Sequence, residues 1–262
     1  MWALIAGAGG LPGALVDAAE TKPLVCALEG MGPDTLAVDI TFRLERLGTF
    51  LADLKARGVE QVCFAGAVRR PAVDPSLIDA ATFPLVPIIQ KALTSGDDGA
   101  LRAFIAVFEH AGFALRGAHE IAPDLLVPQG VLTRAQPDDT ARQDAERGAQ
   151  VVGAMAAVDV GQACVIHKGQ ALTIEGLFGT DWMLNSLSAR PDGTGGLLFK
   201  APKPGQDHRA DLPTIGPDTV AAAAQAGLSG LVIQAGGVIV LDRAKVLAEC
   251  DRLGLFLWAR AG

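Results

Sequence analysis

Apolar runs alternate with helical segments over the first quarter of the chain, and this alternation limits the possible folds more than any other sequence feature. The apolar run Trp2–Ala6 leads through a glycine-rich turn into a helical segment, and a second apolar run follows at Pro23–Leu28. Leu44–Arg57 has leucines at helical spacing and precedes a third apolar run, Gln61–Ala65. Strands that alternate with helices in this way are typical of a parallel sheet with crossover helices. The sequence therefore predicts an α/β fold.

The remaining sequence divides near 123–140, where prolines and glycines interrupt the helical periodicity. We therefore predict two domains, 1–130 and 131–262. The first continues with helices over 76–93 and 98–111 and a short strand at Phe113–Leu115. The second is mixed α/β, with a hairpin turn at Lys168-Gly169. Its predicted helices are Asp138–Ala157, Asp181–Ser188, Val220–Ala226 and Asp242–Arg252, and its predicted strands are Ala163–His167, Ala171–Glu175, Leu197–Phe199, Leu231–Gln234, Val238–Leu241 and Leu255–Trp258.

Charge and composition exclude several classes of protein. The net charge is −7, with 22 Lys and Arg against 29 Asp and Glu, and the absence of a basic cluster argues against nucleic acid as a partner. The stretch Val220–Leu241 has no charged residue, but its glycines and polar residues indicate buried core rather than a membrane span. The four cysteines have no metal-ligand spacing and are predicted to be buried small hydrophobes.

Two segments at the ends of predicted strands are candidates for phosphate binding. Glycines at 7, 9 and 10 follow the first strand, where they would let the backbone and a helix N-terminus approach a phosphate. The segment departs from a dinucleotide fingerprint because Pro12 replaces its last glycine, and a merely tight turn is the alternative. Arg69 and Arg70 follow the third strand, where ligands bind in open parallel sheets. A solvated basic corner is the alternative for this pair.

The segment 200–219 contains most polar residue types within a proline-rich loop. Asp207 and Asp211 stand beside Lys203 and Arg209, and this mixture suits a divalent cation together with a phosphorylated ligand. A structural loop of salt-bridged side chains is the alternative. Motifs for P-loop nucleotide binding, serine hydrolases and zinc proteases are absent from the sequence.

Acidic and apolar residues also mix in the segment 175–183. Thr180 or Asp181 is a candidate helix N-cap. Alternatively, Glu175 and Asp181 complete an acidic cluster with the two aspartates of the 200–219 loop. In that case the apolar residues beside them would line a wall of the site; these are Leu177, Phe178, Trp182 and Met183. His119-Glu120 has no assigned role.

Five segments, in the expected order, resemble the LpxI family of UDP-2,3-diacylglucosamine pyrophosphatases. They are LIAGAGGLPGAL, AGAVRRP, GDDGALRAFIAVFEHAGFALRGAHEIAPDLLVPQG, EGLFGTD and KAPKPGQDHRADLPTIGPDT. The last segment is the most specific, because it matches every fixed position of a KPxQDxRxDxPxIG pattern. EGLFGTD departs from the family's Glu-Gly-Thr-Asp in carrying Leu177 and Phe178.

The resemblance implies a fold and an activity. The fold would be an N-terminal Rossmann-like parallel-sheet domain followed by a C-terminal mixed α/β domain that carries the catalytic loop, with the ligand between the two domains. The activity would be Mg²⁺-dependent hydrolysis of UDP-2,3-diacylglucosamine to UMP and 2,3-diacylglucosamine 1-phosphate, or lipid X, an intermediate of lipid A synthesis. The resemblance also implies a homodimer in the cytoplasm, peripheral to the inner membrane.

The predicted site combines the residue-level candidates with this activity. Asp207 and Asp211 would hold Mg²⁺ or orient water, with Asp181 as the third candidate ligand, and Lys203 and Arg209 would neutralise the pyrophosphate. The predicted substrate contacts are Gly7, Gly9, Gly10, Arg69 and Gln206 toward the polar part, and Leu177, Phe178 and Trp182 toward the acyl chains. Simple core packing is the alternative for the last three. A nicotinamide-dependent oxidoreductase and a non-catalytic nucleotide-sugar or lipid-binding protein remain the other function classes.

Overall fold

The computed structural model describes residues 1–191, 193–205, 207–209 and 212–262, with all of their side chains except those of Asp97 and Asp98. Its internal contacts divide the chain into two compact units. The first unit is Met1–Pro123 together with the described residues of 207–211, and the second unit contains the other described residues. The domain division between residues 130 and 131 stays a prediction.

The first unit contains a five-stranded sheet in which every neighbouring pair of strands is parallel. The strands lie in the order β3-β2-β1-β4-β5. They are β1 (Trp2–Ala6), β2 (Leu24–Leu28), β3 (Ile40–Phe42), β4 (Gln61–Ala65) and β5 (Ala114–Leu115), and the helices are α1 (Leu11–Ala18), α2 (Leu47–Ala56), α3 (Val86–Thr94), α4 (Asp97–His110) and α5 (Ala118–Ile121). The predicted α/β class and the parallel N-terminal sheet are confirmed.

The order of the strands reverses at β1. The chain passes from β1 to β2 and β3 on one side and then returns to place β4 on the other side. In open parallel sheets, ligands bind outside the carboxyl ends of the strands at such a reversal. The residues that follow β1 and β4 therefore occupy the edge at which this sheet would bind a ligand.

Two elements of the first unit differ from the sequence predictions. Strand β3 was not predicted, because three residues at a sheet edge carry too little periodicity to indicate a strand. The continuous helix over 76–93 is wrong: short 3₁₀ turns occupy Pro75–Leu77 and Phe83–Leu85, and α3 starts only at Val86. Proline lacks the amide hydrogen that a helix interior needs, so each of these elements has its proline in the first turn.

The second unit contains a mixed six-stranded sheet in the order β6-β13-β11-β9-β7-β8. Strands β9, β11 and β13 are parallel, whereas β6, β7 and β8 pair antiparallel with their neighbours. The strands are β6 (Gly130–Val131), β7 (Ala163–His167), β8 (Gln170–Ile174), β9 (Leu197–Lys200), β10 (Thr214–Ile215), β11 (Gly230–Gln234), β12 (Ile239–Val240) and β13 (Phe256–Arg260), where β10 and β12 form a separate pair. The helices are α6 (Asp139–Ala156), α7 (Gly179–Asn185), α8 (Pro217–Gln225) and α9 (Arg243–Leu253).

Helices cover both faces of this sheet because its four central strands, β7, β9, β11 and β13, are apolar and largely buried on both sides. Ala145 and Val152 of α6 pack with Ile166 and Phe199 in one core cluster. The other cluster joins α7, α8 and α9 to the alternate residues of the same strands, among them Val165. The charge-free stretch Val220–Leu241 supplies a buried helix face and two buried strands, as predicted. Among the described helices, none has the length and apolar character that crossing a membrane requires.

Local chemistry explains the hairpin between β7 and β8. Lys168 and Gly169 have φ angles of 49° and 78°, and the buried carboxylate of Asp144 accepts hydrogen bonds from both of their N–H groups. A lysine followed by glycine suits a turn that needs positive φ at both central positions, since glycine adopts it without strain. The predicted turn is confirmed.

All four cysteines are buried free thiols, which confirms the prediction of small core hydrophobes. Cys26 and Cys63 lie in the first unit, and Cys164 and Cys250 lie in the second. Burial raises the pKa of each thiol to about 12, because the thiolate is poorly solvated in the core.

Candidate active site

Two loops meet by backbone contact at the carboxyl ends of β1 and β4. The Gly7 N–H donates to the Ala65 carbonyl at 2.8 Å, and Ala8 and Ala67 exchange two N–H···O bonds of 2.9 Å. A Cβ atom on Gly7 would lie 2.5 Å from the Ala67 carbonyl oxygen, so only glycine allows this approach. The predicted glycine turn is therefore one of two loops that pair with each other at this edge of the sheet.

The outer part of the glycine turn faces open space. Gly9 has a φ of 96°, a conformation that favours glycine, and a Cβ there would meet nothing within 4 Å. Gly9 and Gly10 are exposed, and Gly10 is the N-cap residue of α1. This arrangement leaves the backbone of the turn accessible at the sheet edge where the strand order reverses.

The two arginines after β4 have different surroundings. Arg70 donates hydrogen bonds to the carbonyls of Leu93 and Ser95, which ties its loop to the end of α3. Arg69 is exposed and has no hydrogen bond or ion pair with another described residue. Of the pair, Arg69 is the one whose cation is directed to solvent on the loop that contacts the glycine turn.

Asp207 and Arg209 form a hydrogen-bonded ion pair in the first unit. The Asp207 carboxylate accepts from the Arg209 backbone N–H, from Nε at 3.0 Å and from Nη2 at 2.7 Å, and Nη1 of Arg209 lies 3.2 Å from Glu109. The Arg209 hydrogen bonds hold the pKa of Asp207 below its usual range despite partial burial, and the positive charge of Arg102 acts in the same direction. The pKa of Arg209 is raised, chiefly by its hydrogen bonds with Asp207. Both groups are therefore charged at neutral pH.

His119 lies beside this pair and was not assigned a role from the sequence. A Cβ on Gly117 would lie 2.5 Å from the His119 ring and 3.2 Å from the Arg209 Cα, so Gly117 allows both to pack on its backbone. The His119 Nδ1 atom is buried and has no hydrogen-bond partner among the described residues. Only the fold reveals this histidine, because Arg209, which packs beside it on Gly117, is distant from it in the sequence.

Lys203, at the start of the 200–219 loop, forms an ion pair with Asp159 of the second unit. Its Nζ atom lies 2.5 Å from Asp159 Oδ1, at the end of α6, and the lysine side chain is mostly buried. Asp159, with a φ of 53°, lies in the turn that follows α6. This ion pair anchors the loop; the predicted role of Lys203 in neutralising pyrophosphate stays a prediction.

Glu175 does not lie on an acidic surface. It is buried, and it accepts hydrogen bonds from the Thr180 hydroxyl and from the Gln162 N–H. The predicted N-cap at Thr180 or Asp181 is wrong, because α7 begins at Gly179 after Phe178 and no side chain caps it. Asp181 is exposed in the first turn of α7.

An apolar surface patch is formed by Leu177, Phe178 and Trp182, which are 86%, 69% and 58% exposed. The rings of Phe178 and Trp182 contact each other at a centroid distance of 5.3 Å, with their planes tilted by 49°. The alternative of simple core packing is therefore wrong for these three residues. Met183 is 1% exposed and belongs to the core, so its predicted place on the wall is wrong.

Two predicted site residues, Gln206 and Asp211, lie outside the described residues. Within the described ranges, no group of three His, Cys, Asp or Glu side chains is arranged to hold a metal ion. A metal site built on Asp207, Asp211 and Asp181 therefore stays a prediction.

Comparison with known proteins agrees with the resemblance. Residues 1–125 match the sequence model of the LpxI N-terminal domain, and residues 128–258 match that of the LpxI C-terminal domain. The chain is 36% identical over 268 residues to the UDP-2,3-diacylglucosamine pyrophosphatase LpxI of Caulobacter vibrioides, and the alignment covers 97% of this chain and 95% of that relative. With both halves of the chain matched and a relative aligned over nearly its full length, this chain belongs to the LpxI family.

Proposed function

We propose that this protein is a hydrolase that cleaves the pyrophosphate of UDP-2,3-diacylglucosamine to UMP and 2,3-diacylglucosamine 1-phosphate. The observation that carries the proposal is the 36% identity, over 97% of the chain, to a relative with this activity in its name. The exposed glycine turn at the strand-order reversal and the charged Asp207–Arg209 pair support it chemically.

The glycine turn would bind the polar end of the substrate. Gly7 brings the two loops of the edge together, while Gly9 and Gly10 expose their backbone next to the start of α1. Backbone N–H groups at a helix start are good donors to phosphate oxygens. Arg69 would add a cation, and Gln206 is a further proposed contact to the substrate.

The loop 201–213 would supply the reacting groups. A water oxygen would bond to the β-phosphorus, the bond from this phosphorus to the bridging oxygen would break, and UMP would leave with the electron pair. Asp207 or Asp211 would orient the water and accept its proton. Arg209, which is bonded to Asp207, would stabilise the charge that builds on the phosphoryl oxygens, as would Lys203.

The donor chemistry of this loop fits Mg²⁺, which prefers carboxylate oxygens. Asp207 is ionised because its pKa is lowered. We propose Asp207 and Asp211 as ligands, with Asp181 as the third candidate. A bound Mg²⁺ would neutralise pyrophosphate charge and polarise a phosphoryl oxygen.

The apolar patch would contact the acyl chains of the substrate. Leu177, Phe178 and Trp182 leave large apolar surfaces in water, and such patches are often functional. We also propose that the protein is a cytoplasmic homodimer that binds peripherally to the inner membrane. Sedimentation analysis tests the dimer, and flotation with phospholipid vesicles tests the membrane contact.

The decisive experiment measures UMP release from UDP-2,3-diacylglucosamine with and without Mg²⁺. We expect turnover that EDTA abolishes and added Mg²⁺ restores, and calorimetric titration of Mg²⁺ into the protein tests metal binding without substrate. Substrate binding without UMP release would instead identify a non-catalytic binding protein. A substrate-dependent change in NADH absorbance would identify an oxidoreductase.

A further inference from the structure

Three buried polar side chains form a hydrogen-bonded chain at the carboxyl end of β9. Lys200 is the last residue of β9, Thr180 lies in the first turn of α7, and Glu175 follows β8; their exposed fractions are 6%, 8% and 7%. The Lys200 Nζ atom donates to Thr180 Oγ1 at 2.7 Å, and the Thr180 hydroxyl bonds to Glu175 Oε1. The other Glu175 oxygen accepts the Gln162 N–H at 2.6 Å.

The direction of these hydrogen bonds follows from the chemistry of the groups. A lysine ammonium only donates, so the Thr180 oxygen accepts from it and the single hydroxyl proton points to Glu175. Thr180 therefore has one defined orientation between a cation and a carboxylate. Burying a cation and a carboxylate is costly, and such pairs add little net stability compared with apolar residues. A specific positioning role is a better physical reason for this arrangement than stability.

The chain connectivity indicates what this network positions. Thr180 is followed directly by Asp181, and Lys200 is followed directly by the 201–213 loop. Gln162 connects the two, since its N–H binds Glu175 and its carbonyl accepts the Ala201 N–H at 3.2 Å. Gly161 packs on the Glu175 backbone so closely that a Cβ would lie 2.3 Å from the carbonyl oxygen. The start of the loop and the start of α7 are thus fixed by one set of bonds.

We propose that Glu175, Thr180 and Lys200 are positioning residues for the hydrolysis, acting through the start of the 201–213 loop and through Asp181. This inference rests on the proposed function and extends it to three residues that are not in the proposed contact set. Misplacing reacting groups by about 1 Å can slow a reaction about 100-fold without changing which groups are present. Substrate binding through the glycine turn of the first unit would be unaffected.

The test removes only the Thr180 hydroxyl. We expect Thr180→Val to lower kcat about 100-fold while KM stays within about threefold, and Thr180→Ser to restore kcat to within about threefold of wild type. The matched control is Thr133→Val, which removes another buried hydroxyl of the second unit that binds the Leu257 N–H and the Ala135 carbonyl. Thr133→Val should lower the melting temperature but leave kcat unchanged.

A second readout does not depend on activity. In Thr180→Val, hydrogen exchange at the Ala201 amide should accelerate at least about tenfold relative to wild type and to Thr133→Val, because its acceptor, the Gln162 carbonyl, is held through Glu175, which loses its hydrogen bond with Thr180. If Thr180→Val does not fold, Glu175→Gln keeps the shape of the side chain and should lower kcat about tenfold with KM unchanged.

The outcomes separate the two proposals. Wild-type turnover with full activity in Thr180→Val, or equal losses of kcat in Thr180→Val and Thr133→Val, would overturn the positioning role alone. Absence of UMP release from the wild-type protein would overturn the proposed function and this inference with it. The expected kcat loss, serine rescue and faster exchange at Ala201 would together support the positioning role.

Discussion

The two units use different groups at the carboxyl ends of their parallel strands. In the first unit the backbones of two loops contact each other, with Gly7 against the carbonyl of Ala67, and the glycine turn after Gly7 is exposed. The second unit places side-chain charge there, with the Lys200–Thr180–Glu175 chain buried at the end of β9. A backbone edge is sensitive to any added side chain, whereas a side-chain network is sensitive to the loss of one polar group. The four predictions below test this contrast.

The largest expected effect is on the 201–213 loop. Asp211→Ala should lower kcat by at least about 10³-fold, because it removes a group proposed to act on the reacting atoms, while the melting temperature stays unchanged. Asp53→Ala is a control, since Asp53 pairs with Arg57 on the exposed face of α2. Activity of Asp211→Ala within about tenfold of wild type, ~1.4 kcal/mol of barrier, would show that Asp211 is not catalytic.

The next effect tests the backbone edge. Gly7→Ala should lower the free energy of unfolding by about 3 kcal/mol, because its Cβ would meet the Ala67 carbonyl and neither backbone can move freely. Gly13→Ala is the matched control in α1, where a Cβ meets nothing within 4 Å, and it should stabilise the protein by about 0.5–1 kcal/mol. Urea denaturation measures both, and equal stability of the two variants would contradict the close approach.

A buried glutamate of the first unit sharpens the comparison with Glu175. Burial would raise the pKa of Glu45, but hydrogen bonds from Arg43 and from the Asp74 N–H outweigh it and hold the pKa below its usual range. The hydrogen bonds of Glu45 therefore stabilise the folded protein at pH values above the pKa of Glu45 in the unfolded chain. This stabilisation is lost as the pH falls through the lower pKa of Glu45 in the folded protein. Glu45→Gln should cost about 2 kcal/mol at pH 7 and reduce the loss of stability on acidification.

Denaturation at several pH values measures this change, and kcat separates the two glutamates. Glu45→Gln should leave kcat unchanged, whereas Glu175→Gln should lower it. A similar loss of kcat in both variants would mean that buried carboxylates act here only through stability.

The smallest effect concerns the apolar patch. Trp182→Ala should raise KM for the diacylated substrate about tenfold, because an apolar contact of this size contributes about 1.5–3 kcal/mol. Stability should change by less than about 0.5 kcal/mol, since Trp182 is 58% exposed. Phe83→Ala, which truncates a ring that is 72% exposed in the first unit, should change neither quantity. An unchanged KM in Trp182→Ala would exclude contact with the acyl chains.

Local sequence pattern predicted the long buried strands, but it missed short strands such as β3 and the contacts between distant side chains. Trp2–Ala6 and Gln61–Ala65 were predicted with their observed bounds, because buried parallel strands are short apolar runs with clear ends. The Lys203–Asp159 pair joins residues 44 positions apart, and no periodicity connects them. The exposure of Phe178 and Trp182 could not be predicted either, because the type of an apolar residue does not indicate whether its side chain faces the core or the solvent.

The placement of the four thiols has a practical consequence. Each unit contains two cysteines that cannot react while their surroundings remain closed, since both solvent exclusion and the high pKa suppress the reactive thiolate. Alkylation over time, followed by mass spectrometry of peptides, would therefore record the opening of each unit separately in the unmodified wild-type chain. The native sequence thus carries its own pair of kinetic reporters for each half of the molecule.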